Sequence, residues 1–547
     1  MIVSDADVPL CNADVCIVGA GPVGLSLAFK LESLGRTVLL LEAGTTHGRN
    51  VPGPAATGFL TRNHASPGDA SHRGLGGTSA LWGGRCVPYD DIDFQPRDQV
   101  PPPGWPIQHS EMSKHYPEAA EFLQCGSAAF DRNSQDQAED ILTDAVEWWS
   151  RSPALGRVYE ERLRRSERVI LVSEAVVLDI DLGPDGQYVE SLHVKHAGRS
   201  RTVRARQFVL AAGGLETVRM LLSLQKRHPR KLGGPEGPLG RYYQGHLTGY
   251  IAVVQVNDKA LLQALSFTSG RQGGRYRRRL QVSPQRQMRE RLLNAVFWLD
   301  PMSISDPSHG SGTLSLLYLL LALSGTYRFL SRGLAPRSRA DRSGELSRHL
   351  RNIGPGSTSF RAFFRSLYRI YRSANSALEN PAGRYLLRYH AEQMPDPESR
   401  VTIRDGAEGG MLSVDYRVTD EDVASVLRCH EILDAWLRHR NAGWLEYLHP
   451  DPAMRAKAVS DQAFDGYHQI GHIRMSQDPR DGVVDRHCRV HDLENLHVAG
   501  AGVFSTGGHA NPTLPAVALA LRLGERLASV LMPEGTEAGL PPKGLSA

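Results

Sequence analysis

The chain has 547 residues, 41% of them hydrophobic and 22% charged, with a formal net charge of +4. That length exceeds one ordinary core, so two domains, or one domain with large insertions, are expected, with room to bury a large cofactor. The composition is that of a soluble globular protein, and so small a positive excess gives no ground for nucleic acid as a partner.

The first residues, MIVSDADVPLCNADV, contain no basic segment followed by an apolar core, so the reading is of a cytoplasmic protein without a secretory signal. Six cysteines (Cys11, Cys16, Cys86, Cys125, Cys429, Cys488) are scattered without a C-x-x-C pair. Reduced structural thiols and no metal site are expected.

From Asp14 the chain reads DVCIVGAGPVGLSLAFKLESLGRTVLLLEAG, which is strand, glycine turn, amphipathic helix and second strand. In that context the glycines point to a dinucleotide. Gly19 allows the tight turn, Gly21 lets backbone approach a pyrophosphate, and Gly24 lets helix pack on strand. The helix N-terminus offers free N–H groups to the phosphates. Glu42, ending the strand VLLLE, stands where a carboxylate binds ribose hydroxyls and would repel a 2′-phosphate, which disfavours NADP and leaves FAD and NAD open. A second apolar strand, FVLAAGGLETVRMLL from Phe208, ends in Ala211, Ala212, Gly213 and Gly214, small residues that suit backbone passing close to the same ligand.

Between Ser266 and about Arg384 the pattern changes. RQGGRYRRR is followed by LSLLYLLLAL (Leu314 to Leu323), too short to span a bilayer. In FRAFFRSLYRIYR, Arg361, Arg365, Arg369 and Arg372 recur every three or four residues beside Phe360, Phe363, Phe364, Leu367, Tyr368 and Ile370. This basic amphipathic helix reads as a surface helix, a lid over a pocket, or a peripheral membrane contact. VTDEDVASVLRCHEILDAWLRHR (Val418 to Arg440) predicts a further helix.

STGGHANPT, Ser505 to Thr513, crowds polar residues before a long apolar run. Pro512 suits the first turn of a helix that continues through LPAVALALRLGERLASVL, whose positive dipole end faces whatever precedes it. Asn511 reads either as the helix cap or as a group facing a substrate.

Several ordered motifs accompany the fingerprint: GLGGTSALWGGRCVPYDDIDF (Gly74 to Phe94), PGWPI (Pro103 to Ile107), EQMPDPESRVTI (Glu392 to Ile403), YHQIGHIRMSQDPRDGVVD (Tyr467 to Asp485) and NLHVAGAGVFSTGGHANPTLPAVALALRLGERL (Asn495 to Leu527). Together they resemble the glucose-methanol-choline (GMC) oxidoreductases through most of the chain except roughly residues 265 to 385. The resemblance implies an α/β fold, a Rossmann-like doubly wound FAD-binding domain assembled from residues 1 to 110, 150 to 250 and 465 to 547. Between these segments it implies an inserted α+β substrate domain, 251 to 464, with an antiparallel sheet flanked by helices.

The same resemblance implies FAD as cofactor, with Gly76, Gly77, Thr78 and Ser79 against the isoalloxazine ring and Val176 at the adenine. Gly213, Gly500, Ala510, Pro512 and Thr513 are further positions expected around it. Leu81 stands where some relatives carry a tethering histidine, so the flavin is expected to be noncovalent. His468 matches the family's catalytic base and Asn511 its partner, with His509 as the other candidate; His472 stands where relatives more often have threonine.

Oxidising an alcohol removes a hydride from carbon and a proton from oxygen, and a neutral imidazole suits the proton. The implied reaction is oxidation of a CH–OH group of a sugar, glycoside or lipophilic alcohol by hydride transfer to flavin N5. Oxygen, a quinone or a redox protein is the acceptor. A flavin hydroxylase or a noncatalytic, membrane-associated flavin-fold protein are the competing readings.

Overall fold

A computed structural model describes residues 1–3, 11–46, 57–61, 63–101, 104–130, 139–270, 274–323, 342–354, 363–364, 380–404 and 410–531. The glycine fingerprint folds as expected: strand Cys11–Val18, helix Pro22–Ser33, strand Val38–Leu41. Val15, Cys16 and Ile17 and the run Leu39, Leu40, Leu41 are all buried, as parallel strands covered on both faces require. The parallel order is Ile2–Val3, Val169–Val172, Val38–Leu41, Cys11–Val18, Arg199–Leu210, Leu496–Val498. The first half of Arg199–Leu210 leaves this sheet to pair antiparallel with Val189–His196, which in turn pairs with Ala175–Leu182. The apolar helix Thr513–Val530 lies on Pro22–Ser33, and Gly524 makes the approach possible, since a Cβ there would come 2.8 Å from Lys30 Cγ.

The second sheet is antiparallel, in the order Gly443–Tyr447, His246–Val256, Arg384–Glu392, Ala295–Asp300, Arg275–Val282, Ile141–Trp149, Arg85–Cys86. Alternation along its strands separates two faces. Leu247, Leu280, Phe297, Leu387 and Tyr389 share one core with Val426, Cys429 and Leu433 of the helix Asp420–His439. That helix begins at a Thr419 and Asp422 capping box, two residues inside the stretch read from sequence. The opposite face carries His246, Trp298, Arg277, Arg279, Arg388 and His390. It is turned toward the cofactor domain, where His390 Nδ1 meets the His509 carbonyl at 2.9 Å.

This sheet begins at His246 and also takes in Arg85–Cys86 and Ile141–Trp149, upstream of residues 251 to 464, because the open edge of Arg275–Val282 pairs with a strand far away in sequence. A small third sheet joins Arg400–Arg404, Met411–Asp415 and Thr57–Phe59. In the insertion, helix Gly312–Leu323 is tied to helix Arg342–Asn352 by Ser315 Oγ and His349 Nδ1, 3.0 Å apart. Arg361, Arg365, Arg369 and Arg372 lie outside the described residues. Among the described residues no helix is long and apolar enough to cross a membrane. Cys16, Cys86, Cys125, Cys429 and Cys488 are buried free thiols.

Candidate active site and cofactor cleft

A cleft of about 560 Å³ opens at the carboxyl ends of the parallel strands, where doubly wound sheets place their ligands. Gly19, at φ +108°, turns the chain from strand to helix there, and a Cβ on Gly24 would lie 1.9 Å from the Gly19 carbonyl oxygen, so helix and strand meet only because both are glycine. Gly213 and Gly500 line the same cleft, and a Cβ on either would meet no protein atom within 4 Å. Backbone alone faces that space. Gly21, Gly77, Thr78, Val176, Pro512 and Thr513 complete the lining.

Glu42 is 5% exposed and lines the cleft as well. Its Oε2 accepts from the Ala20 N–H at 2.9 Å, and its Oε1 from Gly44 and Gly74 at 2.8 and 2.9 Å. The carboxylate thus staples the fingerprint turn to the Gly74 loop. With about four acceptor positions on a carboxylate, one remains for the cleft. Burial raises its pKa against the three N–H groups that lower it. Ser79 is 3% exposed and shapes the loop, its Oγ donating to the Gly76 carbonyl at 2.5 Å and accepting from Leu155 N–H at 3.3 Å. Ala510 is fully buried, and Leu81 is 51% exposed.

At one end of the cleft, lined by Tyr467, Gln469, Pro512 and Thr513, the chain brings His468 and Asn511 together. Asn511 Nδ2 donates to His468 Nε2 at 2.9 Å. The helix cap is Pro512, with no side-chain capping bond, so Asn511 is not a cap. Its Oδ1 is buried and has no partner. His509 goes elsewhere: its Nε2 pairs with Asp90 Oδ2 at 2.8 Å, and it is 1% exposed. His472 packs, its Nε2 meeting the Gly214 carbonyl at 3.0 Å, and burial brings its pKa to about 4.

Three residues of this site were not singled out from sequence. Asp465 Oδ2 accepts from His468 Nδ1 at 2.9 Å and from His246 N–H at 2.7 Å, while its Oδ1 accepts from the Tyr467 and His468 backbone. Burial opposes ionisation, but His468 and these donors outweigh it and hold the pKa at about 2. An ionised Asp465 only accepts, so His468 carries its proton on Nδ1 and presents Nε2 as an acceptor.

His246 and His390 stack on each other at 4.3 Å and both stand edge-on to His468. Burial, and then His468, bring His246 to about 3; burial, and then His246 and His468, hold His390 far below the usual histidine range. Both are neutral. Ring nitrogens of the three lie within 4.8 Å of one another, a spacing a metal ion could use. His468 already bonds through both nitrogens, however, and His390 Nδ1 is held by His509. In sequence, Asp465 was legible as the carboxylate three residues before the histidine in DGYH. His246 and His390 carried no such signal.

Residues 395–520 match the family model described as GMC oxidoreductase, and residues 17–68 match an NAD(P)-binding Rossmann-like domain. The C-terminal part of the chain thus carries a GMC oxidoreductase domain. Carrying that domain, the protein is an FAD-dependent alcohol oxidoreductase. A 2-methyl-1,2-propanediol dehydrogenase from Mycolicibacterium austroafricanum is 21% identical over 603 aligned positions, covering 94% of this chain and 95% of that one. In fold the chain is similar to an FAD-dependent oxidoreductase from Chaetomium thermophilum, at TM-score 0.53 and 17% identity over 94% of this chain and 98% of that one. It is similar too to a variant formate oxidase from Aspergillus oryzae, at TM-score 0.51 and 15% identity over 95% and 99% of the two chains. The cleft fits the cofactor, since it holds open space beside Gly213 and Gly500 that no protein atom fills within 4 Å of where a Cβ would stand.

Proposed function

We propose that the protein oxidises a CH–OH group with His468 as the general base, Asn511 as its partner at the hydroxyl, and Asp465 as the residue that orients the imidazole. Residues 1 to 110, 150 to 250 and 465 to 547 mainly hold the cofactor, while 251 to 464, joined by the strands Arg85–Cys86, Ile141–Trp149 and His246–Val256, shape the substrate side. Gly19, Gly21 and the following helix N-terminus would hold the pyrophosphate, Glu42 the ribose and Val176 the adenine. Gly76, Gly77, Thr78 and Ser79 would lie along the ring system with Gly213, Gly500, Ala510, Pro512 and Thr513. Bound FAD supplies the acceptor for the hydride that leaves carbon, and with Leu81 at the tethering position it is held noncovalently.

The observation that carries this reading is the line Asp465, His468, Asn511, with the proton on Nδ1 and the lone pair on Nε2. A substrate hydroxyl taking its place between Nε2 and Asn511 Nδ2 gives its proton to the first and accepts from the second. His246 and His390, kept neutral, add no positive charge beside the imidazole. The helix Thr513–Val530 turns its positive end toward the same point, which favours negative charge developing there. The full-length relative named for a small vicinal diol supports a small polyhydroxylated compound, sugars included, as the substrate.

The test is anaerobic titration of the FAD-loaded protein with diols, sugars and aryl alcohols while the visible flavin bands are recorded. Bleaching by at least one class is expected. A flavin that dithionite bleaches and no alcohol does would overturn the reading.

A further inference from the structure

The face of the antiparallel sheet that carries His246 and His390 also carries four arginines. Trp298 pairs across the strands with Arg388, and Val296 with His390, so the arginine row lies one step, about 7 Å, along the sheet from the histidine row. Trp298 joins the two rows, its ring 6.2 Å from that of His390. Arg85 and Arg277 lie over the Trp298 ring, at 4.5 and 4.8 Å. Arg388 and Arg85 reach solvent, with side chains 35% and 24% exposed, while Arg277 and Arg279 lie beneath at 5% and 1%.

Two carboxylates face these four cations. Glu147, fully buried, takes Arg277 through a hydrogen bond to Oε1, and only looser contacts from Arg85 at 3.3 Å and Arg279 at 3.7 Å. Asp300 takes Arg388 at 2.9 Å and Arg277 at 3.8 Å. Asp90 adds attraction for Arg279 from a distance. Burial alone would raise Glu147, yet the three arginines around it hold its pKa at about 2, and Arg279 is brought down to about 10 by burial against only partial compensation. Among the described residues the buried Nε of Arg279 has no hydrogen-bond partner. A guanidinium has five N–H donors, and burying one unsatisfied is strongly unfavourable. Four guanidiniums against Glu147 and Asp300, with Asp90 more distant, leave an excess of positive charge that reaches His390 through Arg85.

We propose that Arg85, with Arg279 and Arg277 behind it, binds an oxyanion, a carboxylate or a phosphate, carried by the alcohol substrate itself. The inference rests on the alcohol-oxidation reading and narrows its substrate class to hydroxy acids or phosphorylated alcohols. Planar, bidentate guanidinium recognition suits both anions, and a low-dielectric surrounding strengthens it. The Trp298 and Trp149 rings that sandwich the arginines keep the forks in place.

The experiment uses the FAD-loaded protein and two kinds of readout. Malonate and inorganic phosphate are titrated separately, with calorimetry and the flavin spectrum as detectors, against the parent, Arg85→Met and Arg279→Met. Saturable binding of one anion by the parent, weakened at least tenfold in Arg85→Met, is expected, and the preferred anion tells carboxylate from phosphate. Arg85, being partly exposed, tolerates replacement even if Arg279→Met fails to fold. In parallel, gluconate is compared with glucose, and glycerol 3-phosphate with glycerol, for anaerobic flavin reduction. The acid-bearing member is expected to bind at least tenfold tighter, a preference that Arg85→Met removes. Neutral alcohols that reduce the flavin as well as their charged partners, with no anion binding, would overturn the proposal and leave the alcohol reading intact. Anion binding that Arg85→Met abolishes, without reduction by any alcohol, would support the anion site and count against the alcohol reading. Anion binding unchanged in both variants overturns the site.

Discussion

Asp465 Oδ2 lies 2.9 Å from His468 Nδ1, and this contact leaves Nε2 as the acceptor nitrogen of the imidazole proposed as the base. Asp465 is itself held by three backbone N–H groups, from His246, Tyr467 and His468, so the pair is rigid before any substrate arrives.

Replacing the base is the direct test. General-base catalysis contributes about 10²- to 10⁴-fold, so His468→Ala is expected to slow anaerobic flavin reduction by that order with FAD still bound. Asn511→Ala should slow it less. His509→Ala, which removes a partner of Asp90 and not of His468, should leave the rate closest to the parent. Rapid-mixing reduction rates measure all three, and a normal rate in His468→Ala would remove it from the mechanism.

Asp465→Asn keeps the shape but offers an amide that can donate to Nδ1 and so favour the wrong tautomer. A loss of roughly 10²-fold or more in flavin reduction is expected. A purely structural role would lower stability without altering the pH dependence of the rate. The pH profile of the reduction rate constant therefore discriminates: a profile shifted in Asp465→Asn supports orientation, and a parallel one does not.

The cleft predicts a clean separation of folding from cofactor binding. At Gly21 the backbone has an ordinary φ of −74°, and an added Cβ would meet only Gly77 Cα, at 4.0 Å. Gly21→Ala should therefore leave the melting temperature of the apoprotein unchanged, while FAD affinity falls by about tenfold or more, roughly 1.4 kcal/mol. Fluorescence titration with FAD measures it. With Leu81 in place of a tethering histidine, acid precipitation of the parent holoprotein should release the yellow colour into the supernatant.

Arg97 and Glu392, with side chains 1% and 0% exposed, form a bidentate pair at 2.6 and 2.7 Å that ties the chain three residues after Phe94 to the strand Arg384–Glu392. Removing one partner leaves the other buried and charged. Arg97→Met should destabilise by about 3–5 kcal/mol, and adding Glu392→Gln should recover part of the loss. Chemical denaturation of the three proteins gives the comparison.

Acid should unfold the protein early. Burial lowers His246 to about 3 and His309, His430, His472 and His497 to about 4. Unfolded histidines take up protons near pH 6.5, so between about 6.5 and 4 the unfolded chain binds more protons. Stability then falls with acidification, on the order of 1 kcal/mol per pH unit for each site. Asp93, raised to about 8, and Asp422, raised to about 6, chiefly by burial, act the opposite way, since their folded forms hold protons the unfolded chain has released. Five sites against two give a lower melting temperature at pH 5 than at pH 7. Asp465 and Glu147, at about 2, add a further loss only as the pH falls from about 4 toward 2.

The cofactor half was legible in the sequence because its determinants are local. The turn at Gly19, the contact of Gly24 with the strand, and the apolar runs of Cys11–Val18 and Val38–Leu41 all lie within thirty or so residues, and periodicity and glycine placement report them directly. His468 and Asn511 stood out only through the family resemblance of their motifs, since local patterning left Asn511 equally suited to a helix cap. What joined them was not local: a chain closure of 43 residues puts Asn511 Nδ2 on His468 Nε2, and in doing so takes Asn511 out of the capping role its place before Pro512 suggested. His246, His390 and the arginines of the opposite sheet were illegible because they meet only across an antiparallel register. That register sets Arg85 on Trp149, 64 residues downstream, and Ile141–Trp149 on a strand more than a hundred residues further on. A strand's sequence reveals which side chains share a face, but neighbours across the sheet are chosen by backbone hydrogen bonds and packing, which only the tertiary structure decides.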